Sequence, residues 1–223
     1  MITPLVLSFD LDDTLWPVGP LMIAAESAML SWLQERHPDI MRHHDANSMR
    51  AQRMRVVAQF PERSHDFTFL RRSALAQMFR DAGHDETHAD EAFEVFFTAR
   101  NRVQLYDDVE SSLQRLRLRY RLFALSNGNA DLKRCGIAHL FDGHVTAIAA
   151  GAAKPDARIF TRLLELSGVE AARVLHIGDD PEADVVGAMQ AGLQAAWLNR
   201  DAKQWPAHLQ PPSRTISTLA EII

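Results

Sequence analysis

Short apolar runs that each end in polar or small residues are the most regular feature of the chain. Four such runs occur, at Leu5–Phe9, Leu122–Leu125, Val174–Ile177 and Ala195–Leu198. Apolar runs of this length without alternation are typical of strands that are buried on both faces of a parallel sheet. Helical spacing of apolar residues lies between them, as at Val109, Leu113 and Leu116. The alternation predicts an α/β fold built on a parallel sheet.

The stretch from Pro17 to Leu105 has a different pattern, with helical periodicity and almost no strand-like run. Three amphipathic faces are indicated, formed by Met22, Ala25, Met29 and Leu33, by Leu70, Leu75, Met78 and Phe79, and by Phe93, Phe96 and Phe97. Helices therefore interrupt the α/β domain after its first strand. We predict an α/β core at residues 1–16 and 106–223 with an inserted α-helical cap at residues 17–105.

Composition and charge narrow the class of protein. The formal net charge of the 223 residues is -5, with acids and bases interleaved, which argues against non-specific nucleic-acid binding. The single cysteine, Cys135, favours a reducing compartment. The apolar N-terminal run is too short for a secretory signal, and no stretch reaches 18 apolar residues. We expect a cytoplasmic protein that binds neither membrane nor nucleic acid, as a monomer or weak homodimer.

Two carboxylates follow the first predicted strand. Asp10 and Asp12 lie two positions apart, so both side chains leave the strand end on the same face. Such a pair divides nucleophilic and acid–base duties in many active sites. Acidic residues after a strand also cap helices or form turns, and the spacing alone leaves that alternative open.

Two further candidates follow later runs. Ser126 ends the second run and precedes Asn127 and Gly128, a hydroxyl and backbone amides that suit a phosphate cradle, although such a tripeptide also forms plain turns. Lys154 precedes Pro155, which restricts the Lys154 backbone to extended conformations. A lysine held in this way is a candidate partner for an anionic group, and a solvated surface lysine is the alternative.

A third acidic group follows the run that ends at Ile177. Asp179, Asp180 and Asp184 would join Asp10 and Asp12 at one end of the sheet, although Asp179 or Asp180 could also cap the next helix. Two unit charges roughly 4 Å apart repel by about 4 kcal/mol at an effective dielectric constant of about 20. The crowding therefore calls for a cation, and oxygen-only ligands at a phosphate site favour Mg²⁺.

In this order, the four groups resemble the motifs of the haloacid dehalogenase (HAD) superfamily. Its first motif, Asp-x-Asp-x-Thr, matches Asp10, Asp12 and Thr14. The other three match Ser126, then Lys154, then Gly178, Asp179 and Asp184. The resemblance implies a Rossmann-like core, and the insertion resembles the helical cap of the superfamily's C1 class.

The resemblance also implies a phosphatase mechanism and the role of each residue. Asp10 would attack phosphorus to form an aspartyl-phosphate, while Asp12 would act first as general acid and then as general base. Three further roles are implied for groups of residues. Mg²⁺ would be bound by the carboxylates of Asp10 and Asp179 and the backbone carbonyl of Asp12. The phosphoryl group would be neutralised by Ser126, the Asn127 backbone N–H and Lys154. Supporting positions would be taken by Thr14, Asp180 and Asp184.

One branch of the superfamily is particularly similar in the residues within and around these motifs. The similar segments are Phe-Asp-Leu-Asp-Asp-Thr-Leu-Trp, Ser-Asn-Gly-Asn-Ala, His-Ile-Gly-Asp-Asp and the segment from Asp66 to Arg72. They resemble bacterial phosphatases of flavin mononucleotide (FMN) and of 5-amino-6-(5-phospho-D-ribitylamino)uracil, an intermediate of riboflavin synthesis. The substrate would then be a small phosphorylated metabolite. Arg71 is a candidate to contact it from the cap, with a solvated helix face as the alternative.

Other functions share parts of this pattern. A haloacid dehalogenase has the same fold but uses no metal and lacks the second aspartate of the first motif, so Asp12 argues against it. A phosphomutase would keep every motif. A receiver-type regulatory protein, which binds Mg²⁺ and carries a phospho-aspartate, has no role for Asp12 or for a large helical insertion. A non-catalytic relative is the remaining alternative.

Overall fold

The computed structural model describes residues 2–222, which form two compact units. One unit contains the chain up to Pro17 and from Gln104 onwards, and the other contains Val18–Val103. These junctions lie within two residues of the predicted boundaries at 16/17 and 105/106. The use of the second unit as a cap stays a prediction.

The first unit is built on a six-stranded sheet in which every neighbouring pair of strands is parallel. The strands are β1 (Val6–Phe9), β2 (Arg121–Ser126), β3 (Gly143–Thr146), β4 (Val174–Gly178), β5 (Gln194–Leu198) and β6 (Arg214–Ile216). Their order across the sheet is β3-β2-β1-β4-β5-β6. The predicted α/β fold with a parallel sheet is confirmed.

The two edge strands were not predicted from the sequence. In β3 only Val145 is buried, and in β6 only Ile216 is buried. An edge strand has a neighbour on one side only, and here each is short and has a single buried residue. Neither therefore carries the continuous apolar run that marks the four inner strands.

Helices accompany the sheet along the described chain: α6 (Val109–Leu116), α7 (Ala147–Ala150), α8 (Ala157–Ser167) and α9 (Gly187–Gln190). A π-helical turn, Pro181–Val186, runs directly into α9. The apolar side of α8, including Ile159, Phe160 and Leu163, packs into the same buried cluster as strand residues of the sheet. This packing fixes α8, and with it the chain that enters α8 from Lys154, against the sheet.

The second unit is helical and contains α1 (Val18–Arg36), α2 (Pro38–Met41), α3 (Ala46–Gln59), α4 (Phe67–Asp81) and α5 (His88–Arg100). The three predicted amphipathic segments correspond to α1, α4 and α5. They share one core cluster, which includes Met29, Leu33, Leu75, Phe79 and Phe96. Within residues 2–222, no helix combines the length and the apolar character that a membrane crossing requires.

Candidate active site

The carboxyl ends of three adjacent strands bring the predicted site residues together. Phe9 of β1 is in register with Ala124 of β2 on one side and with Ile177 of β4 on the other. Asp10 extends β1 by one residue, and its N–H donates to the carbonyl oxygen of Ile177 at 2.9 Å. The residues that follow these strands therefore share one edge of the sheet, as the sequence predicts.

The ammonium group of Lys154 lies at the centre of this edge. Nζ donates to Oδ1 of Asp10 at 2.5 Å, to Oδ1 of Asp184 at 2.6 Å and to the carbonyl oxygen of Leu125 at 2.9 Å. Only 5% of Lys154 is exposed, so the solvated-lysine alternative does not hold. The three acceptors use all three N–H donors of the ammonium group.

These buried charges shift one another's pKa values. Burial would lower the pKa of Lys154, but the carboxylates of Asp10 and Asp184 raise it above its ordinary value. Burial would raise the pKa of Asp184, but Lys154 and His176 hold it well below its usual range. For Asp10, burial outweighs the attraction of Lys154, and the charge of Asp184 adds to it, so the pKa is raised. The cluster holds more negative charge than Lys154 compensates.

A side-chain clamp from Asn127 fixes the backbone of Lys154. The amide of Asn127 accepts from Lys154 N at 2.7 Å through Oδ1 and donates to Lys154 O at 3.0 Å through Nδ2. The sequence predicts only a backbone role for Asn127 and does not reveal this clamp. The two residues are far apart in sequence and no local pattern connects them. Nearby, Oγ of the buried Ser126 accepts from Gly128 N at 3.0 Å.

Thr14 connects the first motif with the fourth. Its hydroxyl donates to Oδ1 of Asp179 at 2.9 Å, and the Thr14 side chain is fully buried. Burial, followed by the charge of Asp184, raises the pKa of Asp179 to about 6 in spite of this hydrogen bond. The Asp179 carboxyl is thus oriented by Thr14, and a nearby positive charge would stabilise its ionised form.

Asp180 and Asp184 have separate roles in the loop after β4. Asp180 caps the next helical turn, because its Oδ1 accepts from the backbone N–H groups of Glu182 and Ala183 at 2.9 and 2.8 Å. This is the capping alternative that the sequence left open. Asp184 is 1% exposed, and its Oδ2 accepts from Asp180 N at 2.9 Å while Oδ1 faces Lys154. Asp184 therefore joins the loop to the ammonium group.

His176 extends the buried network and was not among the site residues predicted from the sequence. The fully buried ring, in β4, places Nε2 3.2 Å from Oδ1 of Asp184 and Nδ1 3.0 Å from Oγ of Ser8. Because Nε2 faces a carboxylate, it carries the hydrogen, and Nδ1 then accepts from the Ser8 hydroxyl. Burial is the main cause of the lowered pKa of this ring, and it favours the neutral form of the imidazole.

Close approach of Asp184 to the backbone requires the glycine of the fourth motif. A Cβ atom at Gly178 would lie 2.2 Å from both Cγ and Oδ2 of Asp184. Gly178→Ala is therefore expected to displace that carboxylate and to lower the free energy of unfolding by about 1–3 kcal/mol. Denaturant unfolding followed by circular dichroism measures the difference.

Gly19→Ala is the matched control for this substitution. A Cβ at Gly19 meets no heavy atom within 4 Å, and Gly19 lies in the first turn of α1. Alanine there is expected to leave the stability unchanged or slightly increased. Equal unfolding midpoints for the Gly178 and Gly19 variants would show that a side chain at position 178 is accommodated beside Asp184 without loss of stability.

Three carboxylates of the site are close enough to share a metal ion. Oxygen atoms of Asp10, Asp179 and Asp184 all lie within 4.8 Å of one another. An all-oxygen set with uncompensated negative charge suits a hard divalent cation. Both oxygens of Asp184 already accept hydrogen bonds, so Asp10 and Asp179 are the better placed ligands.

Arg71, the predicted substrate contact, lies in α4 of the helical unit. Its guanidinium donates to Oε1 of Glu26 at 2.8 Å and stacks 3.6 Å from the ring centroid of Phe96. Burial is the main cause that lowers its pKa to about 10, and Arg71 is 8% exposed. The solvated-face alternative therefore does not hold, and the substrate contact stays a prediction.

Comparison with known proteins adds to this geometry. A sequence profile of the haloacid dehalogenase-like hydrolases matches residues 5–192. The chain is 31% identical over 224 residues to the 5-amino-6-(5-phospho-D-ribitylamino)uracil phosphatase YigB of Escherichia coli, covering 97% of this chain and 93% of that protein. It is 33% identical over 159 residues to the phosphoserine phosphatase of Thermus thermophilus, covering 69% and 64%.

A solved structure is also similar over the whole chain. It is described as a 2-haloacid dehalogenase from Pseudomonas syringae pv. Tomato, with 36% identity and a TM-score of 0.93, covering 100% of this chain and 96% of that one. The fold, the motif residues at one sheet edge and the matched profile agree. The chain belongs to the haloacid dehalogenase-like hydrolase family, and its curated relatives identify it as a phosphoric monoester hydrolase.

Proposed function

We propose that this chain is a Mg²⁺-dependent phosphatase that hydrolyses a small phosphomonoester through an aspartyl-phosphate at Asp10. The observation that carries the proposal is the buried contact of Lys154 with Asp10 and Asp184 at 2.5 and 2.6 Å, at the edge where Asp12 also lies. A nucleophilic carboxylate, an acid–base carboxylate and a fixed cation are the groups that phosphoryl transfer through an enzyme carboxylate requires.

In the first half-reaction, a carboxylate oxygen of Asp10 forms a bond to phosphorus as the bond to the leaving oxygen breaks. Asp12 donates its proton to that oxygen, so the alcohol leaves neutral. The Lys154 ammonium, already in contact with Asp10, stabilises the negative charge on the phosphoryl oxygens in the transition state. The Ser126 hydroxyl and the Asn127 backbone N–H are assigned to the same oxygens.

In the second half-reaction, water attacks phosphorus and the bond to Asp10 breaks. Asp12, now a carboxylate, takes the proton of the water, and inorganic phosphate and free Asp10 are released. The clamp from Asn127 to the Lys154 backbone and the contact from Asp184 keep the ammonium in place through both steps. Apart from the metal, this chemistry uses only the substrate, water, and side-chain and backbone groups of the chain.

Magnesium fits the residues present. Asp10 and Asp179 would supply carboxylate oxygens and Asp12 its backbone carbonyl, with Thr14 orienting Asp179 by a 2.9 Å hydrogen bond. Bound Mg²⁺ supplies positive charge that stabilises the transferring phosphoryl group. The raised pKa values of Asp10 and Asp179 are a second argument for a cation, because they reflect carboxylates crowded in a buried site.

The substrate proposal follows the YigB relative, whose name specifies 5-amino-6-(5-phospho-D-ribitylamino)uracil. We propose that the substrate is this ribityl phosphate or FMN. The protein would then act in riboflavin synthesis, in the cytoplasm. The similarity to YigB covers 97% of this chain, which supports the same substrate class here. The similarity to the phosphoserine phosphatase makes other small phosphomonoesters the next candidates. Arg71 is retained as a substrate contact, and a monomer or weak homodimer as the oligomeric state.

A dehalogenase is the second candidate function, because the 36% identical Pseudomonas syringae structure is described as one. That reaction displaces a halide, which needs no proton from the enzyme. The acid–base aspartate, Asp12, is present here, and its Oδ1 accepts a hydrogen bond from Nε1 of Trp16 at 2.8 Å. A carboxyl proton donor two residues after the nucleophile favours an alcohol leaving group, and hence a phosphatase.

Release of phosphate by the purified protein from a panel of phosphomonoesters tests the proposal. The panel contains FMN, the ribitylaminouracil phosphate, phosphoserine and ribose 5-phosphate, with 2-chloropropionate added to detect chloride release. We expect release led by the two ribityl phosphates in Mg²⁺. Chelation is expected to lower the rate by about 100-fold or more, because the metal contributes several kcal/mol of transition-state stabilisation.

Each other result has a definite meaning. Chloride release without phosphate release would replace the phosphatase by the dehalogenase. Full activity in chelator, unchanged by added Mg²⁺, would contradict the metal assignment. Release led by phosphoserine or ribose 5-phosphate would keep the mechanism and reject the ribityl substrate class.

A further inference from the structure

We propose that Trp16 is a positioning residue that orients Asp12 for proton transfer to the leaving oxygen. The inference rests on the proposed function, in which Asp12 is the general acid. Trp16 belongs to no catalytic motif used above, yet its indole contacts the acid–base carboxylate directly.

The geometry leaves the indole little freedom. Nε1 of Trp16 donates to Oδ1 of Asp12 at 2.8 Å, and the Trp16 side chain is fully buried. A tight loop delivers it: Asp13 N donates to Trp16 O at 2.8 Å, and Leu15 N donates to Leu11 O at 2.7 Å. The same loop pairs the backbones of Asp12 and Trp16 as an isolated bridge. The indole is therefore rigidly placed with respect to the carboxyl group.

A donor at Oδ1 affects both the orientation and the energy of proton transfer. When Asp12 is protonated, an N–H at Oδ1 assigns the acidic hydrogen to Oδ2, which is the atom that would donate to the leaving oxygen. As the proton leaves, negative charge develops on the carboxylate and the bond from the indole strengthens. The interaction is therefore stronger in the transition state than in the ground state, which is the condition for accelerating the step.

Leaving-group dependence separates this role from a purely structural one. An alkyl phosphomonoester expels a strongly basic alkoxide and needs a proton from Asp12. The p-nitrophenolate of p-nitrophenyl phosphate is a weak base and leaves without protonation. Loss of a positioned acid therefore lowers the rate for the alkyl ester selectively, whereas general damage to the site lowers both rates alike.

The test is Trp16→Phe, assayed with FMN and ribose 5-phosphate as alkyl esters and with p-nitrophenyl phosphate. We compare kcat/KM values, which report the steps up to formation of the aspartyl-phosphate. We expect a loss of about 10- to 100-fold for the alkyl esters, the range for one charge-assisted hydrogen bond, and about threefold or less for p-nitrophenyl phosphate. The ratio of the two values does not depend on the fraction of folded enzyme.

Trp205→Phe is the matched control. The indole of Trp205 donates to the backbone carbonyl oxygen of Leu209 at 3.1 Å, so this variant also loses an indole hydrogen bond, but one whose acceptor is not Asp12. We expect it to leave the substrate ratio unchanged. Trp16→His keeps a ring N–H and is expected to recover part of the kcat/KM that Trp16→Phe loses for the alkyl esters. It also provides a second variant if Trp16→Phe folds poorly.

Asp12→Asn distinguishes failure of this inference from failure of the proposed function. If Asp12→Asn lowers kcat/KM equally for both classes of ester, Asp12 is not the general acid and the inference falls with it. Suppose instead that Asp12→Asn lowers kcat/KM much more for the alkyl esters than for p-nitrophenyl phosphate, while Trp16→Phe lowers kcat/KM for both classes equally or for neither. Asp12 then keeps its role as general acid, and the positioning by Trp16 is overturned.

Discussion

Asp10→Asn is expected to abolish phosphate release, lowering kcat by on the order of 10⁴-fold or more, as loss of a covalent nucleophile does in other enzymes. Asparagine has the same shape, and its Oδ1 can still accept from Lys154. It does not, however, supply the charged oxygen that attacks phosphorus. The measurement is phosphate release under single-turnover conditions, with acid quenching to detect phosphoenzyme.

Asp156→Asn is the matched control for this variant. Asp156 caps α8, where its carboxylate accepts from Arg158 N at 2.9 Å and pairs with the Arg158 side chain. The same chemical change there is expected to leave turnover within about twofold, because asparagine is itself a good N-cap residue. Retention of more than a few per cent of activity by Asp10→Asn would remove Asp10 from the nucleophile role.

Lys154→Met is expected to give the second largest effect, a loss of about 10²- to 10³-fold in kcat, the range for removal of one preorganised donor to a developing anion. It also removes the buried cation that Asp10 and Asp184 face at 2.5 and 2.6 Å. Breaking such a pair by removing one partner costs about 3–5 kcal/mol of stability. Phosphate release and denaturant unfolding measure the two effects on one protein.

Magnesium provides an internal check on that argument. If the lost stability arises from uncompensated carboxylates, Mg²⁺ should restore part of it to Lys154→Met, and should add less to the stability of the wild type. Lys203→Met is the control, because Lys203 is exposed and pairs with Asp201 at the surface. A Lys154 variant that is as stable and as active as the Lys203 variant would contradict the central role of this ammonium group.

The sequence predicted the parts of the fold that leave a continuous apolar signal. The four inner strands are covered on both faces, so Val6–Phe9 and Val174–Gly178 are buried at every position. The edge strand Gly143–Thr146 has a single buried residue and could not be distinguished from a loop. The helices α1, α4 and α5 were found because their apolar faces repeat with helical spacing.

For the site, the sequence predicted which side chains gather but not how they are held. Motif spacing placed Asp10, Lys154 and Asp184 at one sheet edge. It could not reveal that Ser8 and His176, in neighbouring strands, share a 3.0 Å contact behind them, because their pairing depends on sheet register. The clamp from Asn127 to Lys154 was missed for a similar reason, since it joins two loops that only the folded sheet brings together.

The helical unit shows a different limit. The sequence makes Arg71 a candidate substrate contact from the helical insertion, with a solvated helix face as the alternative. Its burial against Phe96 and its ion pair with Glu26 depend on how α1, α4 and α5 pack together. A pattern of polar and apolar residues cannot predict an arginine that is buried with a partner 45 positions away.

The central place of β1 in the sheet has a consequence for how the chain folds as it is synthesised. Val6 pairs with Arg121 on one side and with Val174 on the other, so β1 leaves the ribosome long before either neighbour. Pairings of such long sequence separation raise the contact order and slow folding. The apolar nascent strand is meanwhile exposed to aggregation, which chaperones counter. Asp10 is thus synthesised long before Asp179 and Asp184, and the site can form only after these later residues have been added to the chain.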